Sequence, residues 1–346
     1  MRVPLTRLHS FVTDVFRAVD VTAEHAATTS SRLIEADLRG RTGHGVIRVP
    51  SYVTRIQAGG INLRPDIVVT RQTPVSGLVQ GDNGLGQVVM TLAVETAIEK
   101  AAESGMAWVG TVRSNHAGAA GVYTEMAAAQ GMIAVYLAVA SANVMPPWGG
   151  RDRLLGTNPI SIAIPGADGP EFLLDIATTV ASHGTIKVLA QRGEQMPEGW
   201  VMRPDGTPIT DPRQADEGFL TPIGGYKGSG LNMAIGLLAG TLNGAAFAGD
   251  VIDHRAIPDR EANTGQAIFV MRPDLFRDLG EFTDAVRTSL AELRSAGQPH
   301  SVKIPGDLAG DRQKRQLSEG VELSEAVAAG LDSVADQLGL GVALGD

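Results

Sequence analysis

Cysteine is absent from the 346 residues. That removes disulfides, thiolate metal sites and cysteine nucleophiles. Aromatic residues are only 4% of the chain. No apolar run approaches the roughly 20 residues of a membrane helix. Met1-Arg2-Val3-Pro4-Leu5 has an arginine but no apolar stretch behind it, so no signal peptide is expected. Positive charge is in deficit: 29 Lys and Arg against 38 Asp and Glu leave a formal net charge of −9. This argues against nucleic acid as a partner and favours solubility. The expectation is a soluble cytoplasmic protein with no membrane partner. No G-x-x-x-x-G-K-[ST] segment occurs, so a P-loop is not supported. No H-E-x-x-H or spaced carboxylate–histidine cluster occurs, so no metal site is expected.

The length suffices for a large core and two domains, and 43% of residues are hydrophobic. Leu8, Phe11, Val12, Val15, Phe16 and Val19 recur at helical spacing. Thr22 can cap a second helix carrying Leu33, Ile34 and Leu38, and Val88 to Ala101 reads as a further helix ending near Gly105. From Met106 the texture changes. Ala107–Val109, Ile133–Leu137, Ile160–Ile164, Phe172–Leu174 and Ala267–Val270 read as strands, with a small helix from about Tyr123 to Ala129. Strand follows strand, which fits a mixed or antiparallel sheet better than a regular βαβ array. Gln195–Gly218 is rich in Pro, Asp and Gly and reads as an excursion, while Leu231–Leu242 is expected to be a buried apolar helix. Phe282, Val286, Leu290 and Leu293 mark a late amphipathic helix, and Ser324 can cap the last one. The fold class is therefore mixed α/β. Residues 1–115 with 298–346 are expected to form a helical domain, and 116–297 a second domain built on the sheet.

Gly81-Asp82-Asn83-Gly84-Leu85-Gly86 precedes a helix and resembles a dinucleotide loop. The G-x-G-x-x-G pattern needs glycine or alanine at position 89, where Val89 stands; the strand before it is thin, and no βαβ context is expected there. A tight helix-starting turn is the better reading. Of seven histidines, two lie in informative stretches. His44 sits in Gly43-His44-Gly45-Val46-Ile47-Arg48-Val49-Pro50-Ser51-Tyr52, and His116 in Arg113-Ser114-Asn115-His116-Ala117-Gly118. Imidazole titrates near neutrality and can pass a proton. Arg48 can hold a carboxylate through paired hydrogen bonds, one helical turn beyond His44 if that segment is helical. Taken singly, each of these residues also has a structural reading: a turn histidine, or a surface ion pair.

These segments, with Leu155-Gly156-Thr157-Asn158-Pro159, Asp175-Ile176-Ala177-Thr178 and Gly224-Gly225-Tyr226-Lys227-Gly228, resemble the malate/L-lactate dehydrogenase family that lacks a Rossmann fold. The resemblance runs from about Leu33 to Asp307. It is specific for the family and not for a substrate, since relatives act on ureidoglycolate, sulfolactate, diketogulonate and piperideine-2-carboxylate. It implies a non-Rossmann nicotinamide-binding fold, a helical substrate and dimerisation domain, and a homodimer. It implies catalytic roles for His44 and His116, between which relatives differ. Arg48, Tyr52 and Thr157 are the implied substrate contacts. The implied cofactor contacts are Ser141, Asn158, Asp175, Ala177, Thr178, Lys227, Pro305, Gly306 and Asp307. The chain departs from the family pattern at Gly43, where serine is usual, at Tyr226, where histidine is more common, and at Asp307, often glutamate.

The reading that follows is an NAD-dependent oxidoreductase, with NADP as the other candidate, acting between a 2-hydroxy and a 2-oxo acid. The substrate would be a small-molecule carboxylic acid. Reduction of a cyclic imino acid is the alternative within the family. Outside it, Lys227 could serve a Schiff-base lyase, or the fold could bind its ligand without turnover.

Overall fold

The computed structural model describes residues 1–167, 169–298 and 301–345. In chain order it runs β1 (Arg2–Val3), α1 (Leu5–Ala18), α2 (Ala23–Leu38), α3 (Val49–Gln57), β2 (Val68–Thr73), β3 (Ser76–Gln80), α4 (Gly86–Ser104), β4 (Met106–Ser114), α5 (Ala120–Ala128), β5 (Ile133–Ala138), β6 (Ile160–Gly166) and β7 (Gly169–Ile176). It continues with α6 (His183–Arg192), β8 (Val201–Met202), β9 (Pro208–Ile209), β10 (Phe219–Leu220), α7 (Tyr226–Ala239), β11 (Thr264–Met271), α8 (Leu279–Ser295), α9 (Asp307–Glu319), β12 (Val321–Glu322) and α10 (Glu325–Gln337).

The apolar stripe of α1 buries Leu8, Phe11, Val12, Val15 and Phe16, each worth about 1.5–3 kcal/mol when removed from water. Thr22 caps α2 by accepting the His25 N–H at 3.2 Å, and Ser324 caps α10 through Val327 N–H. The same apolar cluster takes in Val321, Leu323, Leu331 and Val334 from the C-terminal segment. Antiparallel pairing of β1 with β12 ties the two segments together.

A seven-stranded sheet runs in the order β2-β3-β4-β11-β5-β6-β7. Its one parallel pair is β3 with β4; the rest are antiparallel. The sheet takes strands from both sides of residue 116. Side chains alternate across it. Ala134, Tyr136 and Ala138 of β5 face a cluster containing α4 and α5, while Leu137 faces the opposite side with Ile235 and Ala239 of α7. The excursion at 195–218 folds as a small sheet, β10-β8-β9, over its own apolar cluster.

Two expectations need correction. The parallel pair β3–β4 with α4 between them is a βαβ unit, so the glycine turn Gly81–Gly86 does stand in that context. The helix at 231–242 is not wholly buried. One face of α7 packs through Ile235, Gly236 and Ala239, while Leu231, Met233, Leu237, Leu238 and the following Leu242 are exposed.

Candidate active site

The segment after α2 is built from two single 3-10 turns, Thr42–His44 and Val46–Arg48, rather than from an α-helix. They break at Gly45, where a Cβ would collide with the Asp37 carboxylate. Asp37 is buried and accepts the Val46 N–H at 2.7 Å, which caps the second turn from outside. Burial pushes its carboxyl up to about 7, with the Val46 hydrogen bond opposing. Arg48 Nε donates to the Gly43 carbonyl at 2.7 Å. His44 and Arg48 are thus held on adjacent turns. At Gly43 a Cβ would meet nothing within 4 Å, so the glycine leaves open space beside His44.

His116 follows β4. The glycine turn serves it directly: a Cβ on Gly86 would overlap the carbonyl oxygens of Asn115 and His116. Asn83 N–H donates to Arg113 O at 2.8 Å, and Asn115 Nδ2 donates to Gly84 O at 2.8 Å. These glycines bring two backbones close together. Val89 is fully buried within α4. The loop that resembles a dinucleotide fingerprint is a support for the histidine segment.

The two histidines meet. Their rings stack with centroids 5.5 Å apart and an interplanar angle of 17°. A third, His254, stands edge-on to His116 at 6.0 Å. His254 is buried, and its Nδ1 has no partner among the described residues. Tyr52, from α3, places its hydroxyl 2.6 Å from Nδ1 of His116. Gln87, from the first turn of α4, donates from Nε2 to that hydroxyl at 2.9 Å. Tyr52 is therefore engaged by His116 and Gln87 and is 3% exposed, with burial raising its phenol to about 12.

Arginines surround the histidine cluster. Loss of surrounding water pushes the His44 imidazole down to about 4, helped by Arg48 and Arg41. His44 is nonetheless exposed to solvent. Burial holds His116 well below its ordinary value, followed by Arg48, His44, His254 and Arg55. Burial likewise takes His254 to about 4; Arg55, Arg48 and Arg255 add to this and Asp253 opposes it. Arg55 is buried, with Nη2 on the carbonyls of Gly60 and Arg260. Neutral imidazoles among guanidinium groups suit an anionic ligand.

Residues 3–332 match the malate/L-lactate dehydrogenase family. The chain belongs to that family. It is an oxidoreductase, and the family's activity implies a nicotinamide cofactor. The L-sulfolactate dehydrogenase of Methanocaldococcus jannaschii is 35% identical over 96% of this chain and 95% of its own. Its solved structure superposes with a TM-score of 0.89 at 32% identity, covering 100% of this chain and 99% of that one. The malate dehydrogenase of Pyrococcus horikoshii is 35% identical over 98% and 96% of the two chains. Its structure gives a TM-score of 0.88 at 33% identity, over 98% of this chain and 96% of that one. A Pseudomonas putida reductase named for Δ1-pyrroline-2-carboxylate and Δ1-piperideine-2-carboxylate is 31% identical over 96% of each.

The other residues singled out in the sequence fall into three groups. Asn158 and Thr178 are buried and bind framework. Asn158 bridges Ala140 N–H and Asn232, and Thr178 Oγ1 donates to the Thr157 and Asn158 carbonyls. Ser141, Thr157 and Ala177 flank this knot and are half-exposed. Asp175, at the end of β7, accepts the Gly121 N–H at 3.1 Å, and Arg41 reaches it, joining it to the His44 segment. Pro305 O accepts Leu173 N–H at 2.9 Å. Gly306 has φ +107. Asp307 is gripped by Arg294 at 2.8 Å and so acts as a brace beside β7. Lys227 is exposed at the start of α7, with no ion-pair partner among the described residues.

A nicotinamide dinucleotide fits the groups present. The first N–H groups of α7 stand beside Lys227, a donor set for a pyrophosphate. A Cβ at Gly224 would meet nothing within 4 Å, leaving that backbone open to approach. No group of three or more His, Asp or Glu side chains among the described residues could hold a metal ion, and no described helix is long and apolar enough to cross a membrane. His254, Gln87, Arg41 and Arg55 were not singled out from sequence. Asp253-His254-Arg255 matches no motif, and Gln87 carries only its place after a glycine turn.

Proposed function

We propose that the enzyme interconverts a 2-hydroxy acid and its 2-oxo acid at the cleft formed by His44, His116 and Arg48. The supporting observation is the stacked histidine pair with Arg48 on the adjoining turn. When bound, the nicotinamide supplies or accepts the hydride. Arg48 holds the substrate carboxylate and presents C2 at near-attack distance. The histidine pair hydrogen-bonds the oxygen on C2 and handles its proton, a role worth about 10²- to 10⁴-fold in rate. A carboxylate at Arg48 offsets the cation that depresses His44 and His116, so binding of the acid favours proton uptake.

Arg41, Arg55 and Arg255 add positive charge around this cluster. Sulfolactate and malate, named for two relatives, each carry a second anionic group. A 2-oxo acid with a second anion is therefore the first substrate class to test. NAD is the cofactor we propose, with NADP as its competitor in the same assay. Ser141, Asp175, Ala177, Lys227 and the Pro305–Asp307 segment form the wall we assign to it, with Asn158 and Thr178 shaping that wall from beneath, while Thr157 is assigned to the substrate. The exposed apolar face of α7 supports a homodimer, and the cytoplasm is the proposed compartment.

Reduction of a cyclic imino acid is the second reading, and the Pseudomonas putida relative carries it. A lyase using Lys227 is disfavoured, because a Schiff-base lysine needs a desolvated setting and Lys227 is exposed.

The test is oxidation of NADH and NADPH against oxaloacetate, sulfopyruvate, pyruvate and cyclic ketimines. Turnover with an oxo acid supports the proposal. Turnover with imines alone transfers the enzyme to the second reading. Absence of both nicotinamide binding and turnover overturns the proposal.

A further inference from the structure

The chain Gln87–Tyr52–His116 runs from two buried side chains to a half-buried histidine, and no motif pointed to its first member. Gln87 is fully buried and within hydrogen-bond reach of the Tyr52 hydroxyl. Its Oε1 has no partner among the described residues. That leaves its amide with one anchoring contact, the tyrosine. A buried amide kept for a single bond costs stability unless the bond has a use.

That use is visible at His116. Its Nδ1 lies 2.6 Å from Tyr52 Oη, and the Gly118 backbone N–H points at the same nitrogen from 3.4 Å. A backbone N–H can only donate, so Nδ1 acts as acceptor there. With Gln87 Nε2–H filling one lone pair of the Tyr52 oxygen, the phenolic hydrogen has two acceptors in reach, Nδ1 of His116 at 2.6 Å and the His116 carbonyl oxygen at 3.3 Å, and the shorter contact places it on Nδ1. The remaining ring hydrogen then sits on Nε2. His116 is neutral at pH 7, because its surroundings disfavour the cation, so its tautomer is a defined property.

We propose that Gln87 is a positioning residue which, through Tyr52, holds His116 as the Nε2–H tautomer. The consequence, resting on the function proposed above, is that neutral His116 donates a hydrogen bond to the oxygen on C2 and polarises it. A neutral imidazole serving as an electrophile has precedent in other enzymes. The proton itself is then exchanged by His44, which is exposed to solvent.

The test reads the tautomer directly. Protein labelled with ¹⁵N at histidine is examined by long-range ¹H–¹⁵N correlation at neutral pH, with His116→Gln supplying the assignment. The wild type is expected to show the Nε2–H pattern. Gln87→Glu offers a carboxylate that accepts the Tyr52 hydrogen, so Tyr52 then takes a hydrogen from Nδ1 and the pattern inverts. Gln87→Leu, of similar length, gives a mixture. Turnover falls about tenfold or more in both variants, with KM for the acid changed by less than threefold and NADH binding retained. Tyr52→Phe, which cannot serve the relay, behaves like Gln87→Leu. An Nδ1–H pattern in the wild type overturns the proposal, as does a tautomer unmoved in both Gln87 variants. The spectra do not depend on substrate. A correct tautomer with no dehydrogenase activity therefore refutes the proposed function and leaves the role of Gln87 standing.

Discussion

The Tyr52 hydroxyl lies 2.6 Å from Nδ1 of His116, across 64 positions of sequence. The contact fastens α3, which follows the Arg48 turn, to the segment after β4. One nitrogen of His116 is thereby occupied within the protein, and the other remains for a ligand. Because His44 stacks on the same ring, substitutions on either segment are felt at both.

The two histidines are expected to differ from a pair of structural imidazoles. His44→Ala and His116→Ala should each lower turnover by about 10²- to 10⁴-fold while NADH still binds. Steady-state kinetics and NADH fluorescence check this. Near-normal turnover in either variant removes that histidine from the chemistry.

Arg48→Ala should raise KM for a 2-oxo acid by about tenfold to a hundredfold, the scale of a lost hydrogen bond to a charged group. Neutral ketones should be affected far less. Arg48→Lys keeps the charge but loses the paired geometry, so it should recover only part of the loss. An equal effect on acids and neutral ketones contradicts the clamp.

Gly86→Ala tests the support role of the glycine turn. The added methyl meets the Asn115 and His116 carbonyl oxygens, which are backbone and can move only by shifting the histidine segment. A cost of about 1–3 kcal/mol is expected, with a fall in turnover larger than the change in NADH affinity. Chemical denaturation and kinetics measure the two effects separately.

Asp37 predicts a pH dependence of stability. Its carboxyl is raised from 3.8 to about 7 in the folded protein, so the native state binds that proton more tightly than the unfolded chain. Its contribution is fully present below pH 3.8 and is lost as pH rises toward 7. Asp37→Asn keeps an acceptor for Val46 N–H and removes the ionisation. The variant should therefore melt higher than the wild type at about pH 8 and close to it at about pH 4. Parallel melting curves across that range would contradict the assignment.

Much of the fold was legible because it is local. The stripe Leu8–Phe16, the caps Thr22 and Ser324, and the strand from Ile133 each report their element through spacing alone. The partial exposure of α7 was not legible, because Leu231, Leu237 and Leu238 look the same in sequence whether a neighbour covers them or not. The βαβ unit was missed because Ser76–Gln80 is only five residues long and shows its role through its parallel partner β4. At the site, His44, His116 and Arg48 stood in recognisable motifs. Gln87 and His254 gain meaning only from contacts with residues far away in sequence. Asp307 and Asn158 stood in the motifs too, yet their side chains are spent on Arg294 and Asn232, which sequence does not show.

The most direct test of the central claim follows the hydride itself. The enzyme is given NADH deuterated at C4 of the nicotinamide, on each face in turn, with oxaloacetate or sulfopyruvate, and the product is read by mass spectrometry. The account predicts one deuterium, bound at C2 of the hydroxy acid, from one of the two faces. A hydroxy acid without deuterium from either face, or label at any carbon other than C2, would contradict it.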